Sequence, residues 1–441
     1  MISRLQHTIV TTIFISFFCR RRFAAAGKLV LRFCVYVLGA SPLAVQADEL
    51  DDFIAARMHA YDITGLSLAI IENGRIVKAQ GYGFTDKSGQ TPVTPGTLFQ
   101  AGSISKSVAA FAALRLVQEG QLFLDTNVNA QLHSWKLPEN DFTKDEKVTL
   151  RRILSHTAGL TVHGFPGYAT NAPVPLLVEV LDGIKPANTP AIRVDKVPGT
   201  SWRYSGGGYT VMQQLIIDVT GKPFPEFMSN TVLKPLGMTN STYEQPLPPD
   251  MAVSSAAGYF SGDAPVAGRW HVYPEMAAAG LWTTPSDLAR FAISVQEAFA
   301  GRSNPVLSQQ TTRLMLTNQK DDDGLGVFLD GSGKTLRFSH DGRDAGFDAL
   351  MIAYADIGNG AVIMMNANDG SGTAKAIVNV IAKKYRWNSG IGLIPPAWRR
   401  TEIFNSLIHP NTKQITVIVI TGLVGSMMVL RRMFKRFRRK Q

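Results

Sequence analysis

Phe99-Gln100-Ala101-Gly102-Ser103-Ile104-Ser105-Lys106 sets a serine and a lysine three residues apart at what reads as the start of a helix. Val108, Phe111, Ala112, Leu114 and Leu116-Val117 supply the apolar side of that helix, and Gly120 supplies its C-cap. A helix brings positions i and i+3 onto one face, so the Ser103 hydroxyl and the Lys106 amine point into one cleft. Alone, neither is useful: a serine hydroxyl is a weak nucleophile, and a solvated lysine is protonated at neutral pH. Burial at the positive end of a helix lowers the lysine pKa. A neutral amine there can draw the serine proton.

Outward from this segment, Leu50 to Met58 reads as a helix. Ser67–Ile71 and Arg75–Ala79 flank Glu72-Asn73-Gly74, a hairpin signature. From Val148 to Ser294 the pattern is helical pieces broken by Gly/Pro-rich loops. Within it Thr284-Pro285-Ser286-Asp287 reads as an N-cap with proline at N1. Strands return at Thr335–Ser339, Ala349–Ala355 and Ala361–Met365, and a helix closes the run at Thr373–Tyr385. The expected class is therefore α+β. An antiparallel sheet forms from the N- and C-terminal segments, flanked by helices, with an inserted helical lobe and a cleft between them.

The 441 residues carry a formal charge of +11, concentrated at the ends. Residues 1–47 hold six basic residues and no acid, and residues 431–441 hold seven more basic residues. The remainder is at −2, which excludes a nucleic-acid footprint. Arg20-Arg21-Arg22, the apolar Leu29–Val45 and Val45-Gln46-Ala47 predict a signal peptide or N-terminal membrane leader over 1–47. Both cysteines, Cys19 and Cys34, fall inside it, so the body has no thiol chemistry. The uncharged run Ile415–Leu430, extended through Phe434, predicts a transmembrane helix over 415–434. A linker (395–414) precedes it, and a basic cytoplasmic tail (435–441) follows by the positive-inside rule. The expectation is a domain over 48–394 in the periplasm, held at the bacterial inner membrane by a single C-terminal pass.

A Ser-x-x-Lys match alone is a weak signal. In order along the chain, however, come Ser103-Ile104-Ser105-Lys106, Tyr204-Ser205-Gly206 and His340-Asp341-Gly342. This resembles the serine β-lactamase and penicillin-binding-protein superfamily, in its class C-like branch with esterases, D-aminopeptidases and D-Ala-D-Ala carboxypeptidases. Ser155-His156-Thr157-Ala158-Gly159-Leu160 and Gly280–Leu288 look like further recurrent segments of that branch. The resemblance implies Ser103 as the acylated nucleophile, Lys106 as its proton partner and Tyr204 as a second base, a phenolate or a group sharing a proton with Lys106. It puts His340 on a strand lining the other side of the cleft, where many relatives carry lysine, with Gly342 letting substrate approach. The backbone N–H groups of Ser103 and Arg343 are the expected oxyanion hole. His156 and His163 read as structural.

Two departures narrow the substrate. Gly206 stands where β-lactamases carry an asparagine that binds the acyl-amide, and a neutral His340 is a weaker carboxylate anchor than lysine. Both point to ester, amide or D-peptide substrates rather than β-lactams. A β-lactamase or carboxypeptidase, a prodrug-maturing D-peptidase, and a cell-wall sensor that acylates without turnover are the alternatives. No metal or organic cofactor is expected. The chain has no Gly-x-Ser-x-Gly elbow and no His-Glu-x-x-His, and Asp321-Asp322-Asp323 reads as a solvated turn.

Overall fold

The computed structural model describes residues 48–261, 264–369 and 372–387. Asp48–Asp52 open helix α1 (Glu49–Ala60), and the Asp48 carboxylate accepts from Leu50 N at 3.1 Å. From Phe53 onward, the chain first makes the hairpin of β1 (Gly65–Glu72) and β2 (Arg75–Gly83). Asn73 and Gly74 sit at φ of 51° and 72°, the left-handed pair that a two-residue I′ turn requires.

Two-residue strands β3 (Phe99–Gln100) and β6 (Trp282–Thr283) pair with each other, as do β4 (Tyr168–Ala169) and β5 (His271–Val272). Late in the chain come β7 (Phe328–Asp330), β8 (Arg337–Asp344), β9 (Phe347–Tyr354) and β10 (Gly360–Met365). The main sheet has six strands in the order β2-β1-β10-β9-β8-β7. Its β1–β10 seam, Leu66 opposite Met365 through Ile71 opposite Gly360, joins the early hairpin to the late strands.

Between hairpin and late strands lie α2 (Ile104–Gln118), α3 (Leu150–Leu154), α4 (Gly206–Thr220) and α5 (Pro285–Phe299), and α6 (Thr373–Lys384) closes the described chain. Thr284 caps α5 as expected, its hydroxyl accepting from Asp287 N at 3.2 Å. Helix α2 is more deeply enclosed than its single apolar side suggested. Twelve of its fifteen residues are buried, so it is a central helix and not an amphipathic one.

The α+β expectation holds, with one correction. Among the described residues no helix is long and apolar enough to cross a membrane, so a transmembrane helix is not part of the described fold. The expected span at 415–434 lies outside the described residues, as do the leader 1–47 with its cysteines, the linker 395–414 and the tail 435–441. A smaller difference concerns β8, expected over Thr335–Ser339. Gly333–Thr335 is a 3-10 turn closed by Thr335 Oγ1 donating to Ser332 O at 2.8 Å. The strand therefore starts at Arg337 and carries His340, Asp341 and Gly342 within it.

Candidate active site

Ser103 is the residue before the first turn of α2, with helical φ and ψ of −64° and −11°, and its side chain makes no capping bond. The hydroxyl instead accepts from Lys106 Nζ at 3.0 Å, which also donates to Ala278 O at 2.7 Å. The other serine of the segment is spent structurally: Ser105 Oγ donates to Gly102 O at 2.6 Å and accepts from Leu281 N at 3.0 Å. That leaves Ser103 as the serine hydroxyl that meets the amine.

Lys106 is 2 % exposed. Burial lowers its pKa to about 7, against the opposing pull of Asp344 and Asp341. Its Nζ lies 5.0 Å from the centre of the Tyr204 ring. Burial pushes Tyr204 well above its ordinary value, and the Asp341, Asp323 and Asp344 charges add to this. The nearby Ser103 hydroxyl opposes the shift, but the Tyr204 hydroxyl is outside hydrogen-bond geometry with any described group. The expected phenolate is therefore disfavoured. A lysine that has itself been driven toward neutrality supplies too little positive charge to ionise the phenol.

Strand β8 forms the facing wall. A Cβ on Gly342 would be driven into Ala101 O and would fall 3.2 Å from Ser103 N, so only glycine lets the strand and the Ser103 approach lie together. No described group takes the Ser103 N–H. This contact brings the Gly342–Arg343 backbone beside Ser103. The Arg343 side chain, in contrast, is engaged elsewhere. Its Nε and terminal nitrogen clasp Asp348 at 2.7 and 2.6 Å, and it donates to Asp369 O at 3.1 Å. Asp348 raises its pKa further against the effect of burial. The guanidinium is no carboxylate anchor.

His340 is buried at 2 % exposure, with its ring 6.2 Å from Tyr204 and 4.8 Å from Phe328. Its Nδ1–H donates to Asp341 O at 2.6 Å. Burial, reinforced by Lys106, lowers its pKa to about 3, so it is a neutral imidazole with Nε2 as acceptor.

Gly206 opens α4, and its missing side chain has a cause. A Cβ there would lie 3.0 Å from His163 O and 3.1 Å from the Phe165 ring. The strap Thr161–Phe165 crosses the helix start: Gly206 N donates to His163 O at 2.8 Å and Gly207 N to Val162 O at 3.0 Å. A side chain there would enter only if the strap carbonyl and the Phe165 ring gave way by a few tenths of an ångström.

Two site residues escaped the sequence reading. His156 and His163, assigned there to structure, pack against Tyr204 with ring centres 4.2 and 4.7 Å away. The His156 signal was present in the recurrent Ser155–Leu160 segment, but no local pattern ties His163 to Tyr204. The acidic triplet is a turn, with Asp321 and Asp322 left-handed and Asp323 buried against Trp202 Nε1.

Residues 50–383 match the protein family described as Beta-lactamase. The Staphylococcus aureus (strain N315) protein flp is 27 % identical over 248 residues, covering 54 % of this chain and 45 % of the relative. A putative penicillin-binding protein, PbpX of Bacillus subtilis (strain 168), is 31 % identical over 181 residues, 40 % of this chain and 41 % of that one. The chain thus spans under half the length of these curated relatives. Among solved structures, an octameric penicillin-binding protein homologue from Pyrococcus abyssi superposes with a TM-score of 0.64 at 23 % identity, covering 77 % of this chain and 78 % of its own. A β-lactamase/D-alanine carboxypeptidase from Pseudomonas syringae gives 0.60 at 22 % identity, covering 76 % and 99 %. At these identities the structures establish the shared fold.

Proposed function

Because the chain belongs to the beta-lactamase family of serine hydrolases and penicillin-binding-protein relatives, we propose that it hydrolyses ester, amide or D-peptide bonds through an acyl-enzyme on Ser103. The observation that carries this is the Lys106 amine, buried, lowered to about 7 and 3.0 Å from the Ser103 hydroxyl. The neutral amine takes the serine proton as Oγ attacks the substrate carbonyl. Backbone N–H groups of Ser103 and Arg343 receive the developing oxyanion. The proton returns to the leaving group through Lys106 and the Tyr204 hydroxyl, and the bond from carbonyl carbon to leaving group breaks. Water then attacks the acyl carbon, losing its proton to Lys106, and the carbon–Oγ bond breaks as Lys106 returns that proton to Ser103.

The missing side chain at Gly206, crowded by the strap, and the engaged Arg343 side chain favour substrates that need neither an acyl-amide partner nor a strong carboxylate anchor. The test offers the purified protein a chromogenic short-chain ester, a D-alanyl peptide and a chromogenic cephalosporin, with Ser103→Ala beside it. The ester or the peptide is expected to turn over, with an acyl adduct visible by intact mass, and Ser103→Ala should lose at least about 10³-fold. Turnover unchanged by Ser103→Ala overturns the mechanism. A stable cephalosporin adduct without turnover of any substrate would identify a sensor instead.

A further inference from the structure

Backbone groups of four consecutive residues around Tyr204 meet two histidines, through their rings and their main-chain carbonyls. Arg203 N donates to His156 O at 2.8 Å, and Ser205 N donates to His156 Nδ1 at 3.1 Å. The His163 ring is hydrogen-bonded to the Tyr204 backbone, and His163 O accepts from Gly206 N at 2.8 Å. Both imidazoles also stack on the phenol ring, tilted to it by 32° and 43°. The backbone is left-handed at His156 itself (φ 54°) and at Val162 (φ 61°), the residue before His163. For a β-branched valine that conformation is an outlier, and such strain persists only where surrounding bonds over-determine it.

We propose that His156 and His163 are positioning residues, a clamp that fixes the ring and backbone of Tyr204 so that its hydroxyl stays beside Ser103 and Lys106. The proposal rests on the acyl-enzyme reading above. It needs imidazoles that remain uncharged beside Lys106, and burial, aided by the Lys106 charge, lowers His156 well below its ordinary value and His163 to about 3. A clamp acts through Tyr204 and in no other way, which separates it from a merely structural pair. Its removal should therefore matter only while the Tyr204 hydroxyl is present.

A double-mutant cycle against Tyr204→Phe, with the full chain and the chromogenic ester, reads this directly. His163→Phe keeps a ring and loses the backbone bond. His163→Gln keeps a bonding group and loses the ring, and His156→Asn keeps an acceptor for Ser205 N–H. Each variant is expected to lower kcat by about tenfold or more with KM nearly unchanged, since a misplaced proton donor is lost only in the transition state. In the Tyr204→Phe background the same changes should have almost no further effect. Equal losses in both backgrounds, or a wild-type kcat in all three variants, overturn the clamp. A variant whose thermal unfolding shows a lost fold is set aside, and the two at His163 decide the matter between them. If Tyr204→Phe itself leaves kcat intact, the reading beneath the clamp fails as well, and that result is visible before any histidine is changed.

Discussion

With its pKa lowered to about 7 by burial, the Lys106 amine is available in its unprotonated form near neutral pH. As a base it works in that form, so kcat/KM for the ester should fall as pH drops through about 7 and level off above it. The measurement is a pH profile of kcat/KM on the free enzyme, and a flat profile between pH 5.5 and 8.5, on the order of three units, would remove Lys106 as the base. Stability carries the opposite burden. The folded value lies below the unfolded one of 10.5, so between about 10.5 and 7 the unfolded chain holds a proton that the fold rejects. That linkage makes the fold less stable as pH falls across the window, with no further loss from this group below it. Lys106→Met removes the burden and forfeits bonds to Ala278 O and Ser103 Oγ. The expected net is a gain of about 1–2 kcal/mol in urea unfolding at pH 7 together with loss of activity. The pair itself was legible in sequence because i and i+3 share a helix face. That Tyr204 is pushed well above its ordinary value was not, since it depends first on burial and then on acidic neighbours that only the assembled cleft brings together.

Helix α4 and the strap across its start explain at the next scale why glycines stand at 206 and 207. Ser205 caps the helix by accepting from Gly208 N at 3.0 Å, and the strap carbonyls take the two preceding N–H groups, those of Gly206 and Gly207. Capping consumes the positive helix end from inside the protein and crowds the side-chain position at Gly206. Gly206→Asn, the change that would imitate a β-lactamase, must therefore displace His163 O or Phe165. It should cost about 1–3 kcal/mol of stability and lower ester turnover through the strap, without gaining cephalosporin hydrolysis. Thermal unfolding and rates on both substrates check this, and cephalosporin turnover gained at unchanged stability would contradict it. Sequence periodicity gave the helix starts at α2 and α5, where caps and apolar spacing are local. It could not give the strap, whose residues are in place only because distant N–H groups receive their carbonyls.

At the scale of the whole molecule, the hairpin joins the late strands through the β1–β10 seam, and the late strands meet the Ser103 segment through a few aromatic contacts. The α+β class was readable from strands at both ends and helices between, because each has its own hydrophobic period. The seam of β1 with β10 was implied by that order, but the way the sheet meets the helical lobe was not. Phe347, at the start of β9 and fully buried, packs edge-on against Phe99 at 6.5 Å and Trp282 at 5.8 Å, and Trp282 packs against Trp270 at 5.2 Å. Phe99 is four residues ahead of Ser103 and pairs with Thr283 across β3 and β6, so Phe347 ties the sheet to the approach of the nucleophile. Truncating it leaves a cavity beside two large rings, Phe99 and Trp282, which a close-packed core refills poorly. Phe347→Ala should cost about 3–5 kcal/mol and slow ester turnover, although the side chain belongs to none of the reacting groups. Unfolding followed in parallel by tryptophan emission and by far-ultraviolet circular dichroism should still show one shared midpoint, moved to lower denaturant in both. Two separated midpoints would mean that sheet and lobe hold independently and that Phe347 does not couple them.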